Sequence, residues 1–201
     1  MPPEPIKLYF DYKSPFAYLA KDEAYKLEEE YNVNIVWLPY VVDIPEAYGD
    51  LPVRTEQQWR KIRYSYMDAR RWANKRGLTI KGPQKIFNSS IAAIGMLYAQ
   101  QHGKFRAYHD RMYERFWTRS IDIEDKQAVA ALLAEAGVDA NEFLVYLEGE
   151  GKTELAAVQQ QADADEVFGV PLFIVKGEMF WGYDHVPSVR EKLNGMGLRK
   201  Q

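Results

Sequence analysis

The chain contains no cysteine. That absence excludes disulfides, thiolate metal sites, a cysteine nucleophile and any dithiol redox cycle carried by the protein itself. If sulfur chemistry takes place here, the sulfur arrives with a ligand. A strong charge of either sign is lacking too: 26 Lys and Arg against 29 Asp and Glu leave a net charge of -3. The protein therefore has no general attraction for phosphate backbones or anionic lipid, and neither nucleic acid nor membrane is an expected partner. No stretch reaches the ~20 apolar residues of a membrane span. The opening MPPEPIKLYFDYK places prolines and charges where a secretory signal needs an apolar core of ~7–15 residues. A cytoplasmic location is the expectation. The three histidines, His102, His109 and His185, form no metal-ligand spacing with one another; His102 and His109 read as decorating helix faces, and no metal is expected. There is no internal repeat and no low-complexity tract.

What is present is ample apolar material. With 201 residues, 47% hydrophobic and 14% aromatic, the chain can bury one sizeable core, or a core with an insertion. Ile6 to Asp11 reads as a strand, Pro15 to Tyr31 as a helix and Val33 to Leu38 as a second, β-branched strand. The segment from Val41 to Pro52 is rich in turn formers and reads as a loop.

From there to Asp165 the pattern is helical. Trp59, Ile62, Tyr66, Ala69 and Ala73 recur at three- and four-residue steps before Gly77. Arg60, Lys61, Arg63, Arg70, Arg71, Lys75 and Arg76 occupy the other faces, which reads as a solvated helix rather than a nucleic-acid surface. Further helices are expected over Ser89–Gln101, Lys104–Phe116, Lys126–Ala136 and Asn141–Ala164, with Asn141 as an N-cap. Strands return at Leu172–Val175 and Glu178–Trp181 around a Lys176-Gly177 turn, and a short helix opens at Pro187-Ser188.

The order β-α-β, helical block, β-β-α predicts an α/β protein. Its four-stranded mixed sheet would be thioredoxin-like, formed by residues 1–52 and 166–201, with residues 53–165 as an inserted helical domain. Two local features agree. Ser14-Pro15 stands at a strand-to-helix junction, and Gly169-Val170-Pro171 immediately precedes a strand. Pro171 is either an ordinary trans proline entering that strand or, as the context favours, a cis-proline that holds open a backbone edge for a peptide-like ligand.

The run Phe10-Asp11-Tyr12-Lys13-Ser14-Pro15-Phe16-Ala17-Tyr18-Leu19-Ala20 resembles the opening of the 2-hydroxychromene-2-carboxylate isomerases and kappa-class glutathione transferases, in the DsbA-like branch of the thioredoxin superfamily. Arg63-Tyr64, Asp68, Arg71-Trp72-Ala73, Gly77-Leu78 and Asn88 are similar to their helical insert. Val167 to Phe173 and Phe180-Trp181-Gly182-Tyr183-Asp184 look like their cis-proline segment and C-terminal binding turn. The resemblance implies glutathione as the cofactor and a homodimer as the assembly. It also implies that Ser14 bonds the glutathione sulfur, that the Val170 backbone pairs with the cysteinyl unit beside Pro171, and that Asp184 holds the γ-glutamyl ammonium.

Each role has a physical basis and a plainer competitor. A hydroxyl at a helix N-terminus adds a donor to a site already made positive by free N–H groups and the helix dipole, which favours thiolate over thiol. Ser14 is also an ordinary helix cap, with Pro15 at the first helical position. Asp184 is also a turn residue. Lys13 stands where the family has an uncharged residue. It either lowers the thiol pKa, binds a substrate carboxylate or extends into solvent. His185 and Asp43 depart from the family pattern as well. Tyr12, Phe16, Tyr40 and Tyr64 either stack on a planar substrate or belong to the core.

The function implied is a glutathione-dependent isomerase acting on a bicyclic or unsaturated aromatic keto acid. Reversible addition of thiolate to a conjugated carbon turns a double bond into a rotating single bond. A kappa-like glutathione transferase uses the same site if the sulfur is not expelled. A cysteine-free DsbA-like peptide-binding module without catalysis is the reading from another class.

Overall fold

The computed structural model describes residues 2–49 and 51–200. The chain divides into two compact units, Met1–Tyr40 with Val158–Gln201, and Val41–Ala157. These limits differ from the expected 1–52, 53–165 and 166–201; of the positions that bound or fall in those spans, Met1, Asp50 and Gln201 lie outside the described residues.

The first unit opens with strand β1 (Glu4–Phe10), helix α1 (Pro15–Glu30) and strand β2 (Val33–Pro39). β1 and β2 run parallel, from Glu4 opposite Val33 to Phe10 opposite Pro39. A parallel pair needs a crossover, and α1 supplies it. The second unit begins with a short helix α2 (Ile44–Tyr48) and a 3-10 turn at Leu51–Val53. The expected loop over Val41–Pro52 is thus partly helical, because the Asp43 carboxylate accepts from Glu46 N–H at 3.0 Å and caps α2.

Helices α3 (Glu56–Lys75), α4 (Ser90–Gln101), α5 (Phe105–Thr118), α6 (Lys126–Glu135) and α7 (Ala140–Glu148) complete most of this unit. α3 starts with a reciprocal capping box between Thr55 and Gln58. Its Ala69 and Ala73 are buried, while Arg63 pairs with Glu56 and Arg71 with Asp68 on solvated faces. His109 does not decorate a helix face as expected. It is fully buried on α5, stacked on Phe105 and edge-on to Tyr113. His102 caps α4, its Nδ1 2.8 Å from the Tyr98 carbonyl oxygen.

The helix expected over Asn141–Ala164 is two helices, α7 and α8 (Glu150–Ala164), broken at Gly149 with φ -122° and ψ -103°. The N-cap of α7 is Asp139 rather than Asn141, because its carboxylate accepts from both Asn141 N–H and Glu142 N–H.

From Val158 onward α8 belongs to the first unit. Ala162 and Val158 pack into a core cluster with Tyr9, Leu38, Val167 and Leu172, which is why the unit boundary falls inside this helix. Strands β3 (Leu172–Val175) and β4 (Glu178–Trp181) follow, then a 3-10 turn at Tyr183–His185 and helix α9 (Val186–Gly195). β3 is antiparallel to both β1 and β4, giving the order β2-β1-β3-β4. This is the expected thioredoxin-like mixed sheet.

Its residues alternate between faces. On one face Phe10, Trp37 and Tyr25 of α1 form an aromatic cluster, with centroids 5.9 Å apart for Phe10–Trp37 and 5.4 Å for Tyr25–Trp37. Arg190 of α9 reaches Glu23 at 3.0 Å and Glu30 at 3.1 Å, tying the two helices on that side. On the other face Tyr9 hydroxyl donates to Asp165 at 2.6 Å, and Lys7 pairs with the same carboxylate. Among the described residues no helix is long and apolar enough to cross a membrane.

Candidate active site

The first turn of α1 is where the unit presents unused donors. Ser14 occupies the N-cap with extended backbone angles, φ -87° and ψ 116°, and its Oγ accepts from Ala17 N–H at 3.1 Å. Its carbonyl accepts from Tyr18 N–H at 3.1 Å. Pro15 has no N–H to offer. Of the first-turn amides this leaves Phe16 N–H without a partner among the described residues. No acidic side chain stands in that turn, so the positive end of the helix dipole is not offset there by the helix's own residues.

The Ser14 hydroxyl is therefore a cap, but it has a second role. It donates its proton to the Val170 carbonyl oxygen at 3.3 Å. The hydroxyl thus spans the gap between the helix end and the loop before β3. The Val170-Pro171 peptide is cis, as the sequence context favours. Val170 lies two residues ahead of β3, outside the sheet ladder. Its N–H makes no hydrogen bond among the described residues. A short, half-buried backbone edge is left beside the Ser14 hydroxyl.

Asp184 joins the same place through the backbone. Pro171 carbonyl accepts from Gly182 N–H at 2.9 Å, and the 3-10 turn that follows packs against α1. Gly182 has φ 107°, and a Cβ there would stand 2.5 Å from Asp184 Oδ1. Glycine at this position is what lets the carboxylate fold back over the turn. Asp184 is solvent-exposed, as is the neighbouring His185.

Two residues before Val170, Phe168 is 63% exposed and meets Trp181 edge-on at 5.2 Å. A Cβ on Gly169 would come 2.8 Å from the Trp181 indole nitrogen, so only glycine lets the indole lie against this loop.

The residue that sequence reasoning missed is Asp11. It is 3% exposed, yet it is a carboxylate at the end of β1. Its carbonyl accepts from Ser14 N–H at 3.0 Å and its Oδ1 from Lys13 N–H at 3.0 Å. Its Oδ2 lies 3.4 Å from Lys13 Nζ. Lys13 does not extend into solvent: its side chain is 9% exposed and that of Asp11 1%. The usable signal was the Asp-X-X-Ser spacing, which places an acceptor at the start of the turn whose last residue is the helix cap.

The aromatic candidates separate. Phe16 is half-buried in the first turn of α1. Tyr12 is 1% exposed and packs edge-on against Phe10 at 5.3 Å, which is a core position. Tyr40 N–H bonds the Phe10 carbonyl, and its ring packs on the Tyr9–Leu38–Leu172 cluster. Tyr64 is on α3 in the helical unit and 60% exposed. Asp43 is accounted for as the cap of α2. No group of three or more His, Asp or Glu able to hold a metal is found among the described residues.

The chain matches the family model described as a DSBA-like thioredoxin domain over residues 5–194. It is 30% identical over 192 residues to a 2-hydroxychromene-2-carboxylate isomerase of Sphingobium xenophagum, covering 94% of this chain and 97% of that one. An enzyme of the same name from Pseudomonas putida is 30% identical over 186 residues, with 90% of each chain covered. Among solved structures, a 2-hydroxychromene-2-carboxylate isomerase superposes with a TM-score of 0.79 at 25% identity, over 96% of this chain and 95% of that one.

Proposed function

Because the chain belongs to the DSBA-like thioredoxin-domain family, in its branch with the 2-hydroxychromene-2-carboxylate isomerases, we propose that it is a glutathione-dependent isomerase of an unsaturated aromatic keto acid. The observation that carries this reading is the hydrogen bond from Ser14 Oγ to the Val170 carbonyl. It puts a hydroxyl, an open helix amide and a peptide edge together, in a protein with no thiol of its own.

The donor set fits glutathione. The Ser14 hydroxyl and Phe16 N–H suit a sulfur anion at a helix N-terminus. The Val170 N–H, without a partner among the described residues, suits the peptide of the cysteinyl unit. The Asp184 carboxylate suits an ammonium group. When bound, glutathione supplies a sulfur nucleophile that adds reversibly to a carbon conjugated with a carbonyl, permits rotation about the former double bond and is released unchanged.

This chain's residues do the rest. Ser14 exchanges its Val170 acceptor for the sulfur, so its proton stabilises negative charge at that atom without leaving the oxygen. Ala17 N–H stays on the same oxygen and keeps the hydroxyl aimed. Val170 and Asp184 hold the cysteinyl unit and the γ-glutamyl end of the tripeptide against rotation. Phe16, half-buried in the first turn of α1, suits contact with the substrate's ring.

Calorimetric titration with glutathione, followed by an assay of 2-hydroxychromene-2-carboxylate isomerisation in its presence, tests this. Binding with turnover that consumes no glutathione is expected. Absence of binding at millimolar glutathione would sink the proposal and leave a peptide-binding module.

A further inference from the structure

The Lys13–Asp11 pair is unusual in its placing. Both side chains are nearly buried, at 9% and 1% exposed, and they flank the turn that delivers Ser14. Two opposite charges at that depth are held together because separating them leaves an unpaired charge in low dielectric. Asp11 also spends its second carboxylate oxygen on Lys13 N–H and its carbonyl on Ser14 N–H. One residue therefore fixes both the ammonium and the cap hydroxyl. Of the elements packed on α1, the 3-10 turn carries Asp184 and His185, and α9 carries Arg190, which pairs with Glu23 and Glu30.

We propose that Asp11 and Lys13 form a charge-balancing pair of opposite effect on the sulfur bound at Ser14, with Asp11 acting as a positioning residue and Lys13 as the cationic neighbour of the thiolate. The inference rests on the glutathione reading above and deepens it. An ammonium next to a developing sulfur anion favours ionisation, and a buried carboxylate disfavours it. Paired, they nearly cancel at the sulfur, and the helix end remains the main positive field there. The balance also limits how tightly the sulfur is held, which a nucleophile that must later depart requires.

The geometry gives predictions of opposite sign for the two partners. Asp11→Asn keeps an oxygen for Lys13 N–H but removes the negative charge, so the bound glutathione thiol should titrate lower than in the natural protein. Lys13→Gln removes the positive charge and should make it titrate higher. Each change is on the order of half to one pH unit. The double variant should return close to the natural value, because both charges are gone.

The measurement is the ultraviolet thiolate absorbance of glutathione bound to each protein across pH, with calorimetric affinity and Tm recorded on the same samples. Opposite shifts in the single variants with recovery in the double variant are the expected result. Lowered Tm in the single variants with an unmoved thiol titration would overturn the inference and make the pair purely structural. If Asp11→Asn does not fold, Lys13→Gln decides alone, and an unchanged titration there overturns it. A natural protein that binds no glutathione refutes the glutathione reading and this inference with it, whereas binding with identical titrations refutes only the inference.

Discussion

Ser14 and Val170, 156 positions apart in the chain, are joined by a hydrogen bond of 3.3 Å from the serine hydroxyl to the valine carbonyl. The bond closes the gap between the N-terminus of α1 and the cis-proline loop. On the proposed function, it is the contact that the glutathione sulfur replaces.

Ser14→Ala removes both the cap and the donor. The cap contributes about 1 kcal/mol to stability, and chemical denaturation should show a loss of that size. A hydrogen bond to a charged acceptor contributes roughly 1.5–3 kcal/mol. Turnover should therefore fall by about tenfold to a hundredfold, with glutathione affinity changed much less. An unchanged kcat would reduce Ser14 to a cap.

Asp184→Ala should act on binding instead. The carboxylate is exposed, so its pairing with an ammonium is screened by water. The glutathione KM should rise by a few fold to about tenfold, with kcat at saturation nearly unchanged. Steady-state kinetics at varied glutathione separates this pattern from that of Ser14→Ala.

Asp165 provides a pH-dependent element of the fold. Burial pushes its carboxyl up, but hydrogen bonds from Lys7 and Tyr9 and the lysine charge outweigh this and hold it below the usual carboxylate value. A carboxyl lowered in the folded state stabilises the protein above its unfolded pKa and ceases to do so as pH falls through its folded pKa. Asp165→Asn should thus cost on the order of 1 kcal/mol at neutral pH. That difference should shrink as pH drops below about 4. Urea titrations of both proteins at neutral and acid pH measure it. The same carboxylate, after burial itself, pushes the Tyr9 hydroxyl well up from its ordinary value.

Gly95 in α4 runs against helix propensity, where alanine is better than glycine by about 1 kcal/mol. A Cβ there would collide with the Tyr108 hydroxyl, which is fully buried and donates to the Ala92 carbonyl at 2.8 Å. Overpacking of a filled core costs about 1–3 kcal/mol, and displacing the hydroxyl strands a buried donor. Gly95→Ala should therefore lower Tm despite its better propensity. A rise in Tm would mean that Tyr108 has room to move.

Much of the fold could be read from local pattern. The β-branched run at Val33–Leu38, the Ser14-Pro15 start of α1 and the Lys176-Gly177 turn each express preferences that act within a few residues, and neighbouring packing reinforces them. Local pattern does not decide the outcome where two local signals compete. Over Asn141–Ala164 the helical pattern is continuous, but Gly149 leaves helical geometry and starts a new helix axis. In Val41–Pro52 the turn formers concealed a capped turn at Asp43.

The sequence by itself determined that any sulfur nucleophile must come from a ligand, because the chain has no cysteine, and that Ser14 heads a helix, because Ser-Pro caps one locally. Only the tertiary structure decided what faces that hydroxyl. Val170 reaches it because β3 pairs antiparallel with β1, and Asp184 follows because Gly182 bonds the Pro171 carbonyl. It also withdrew Lys13 from solvent onto a buried Asp11 and placed Tyr12 in the core. Charges and rings are assigned to water, ligand or core by the packing around them, and packing between residues distant in sequence has no local signature.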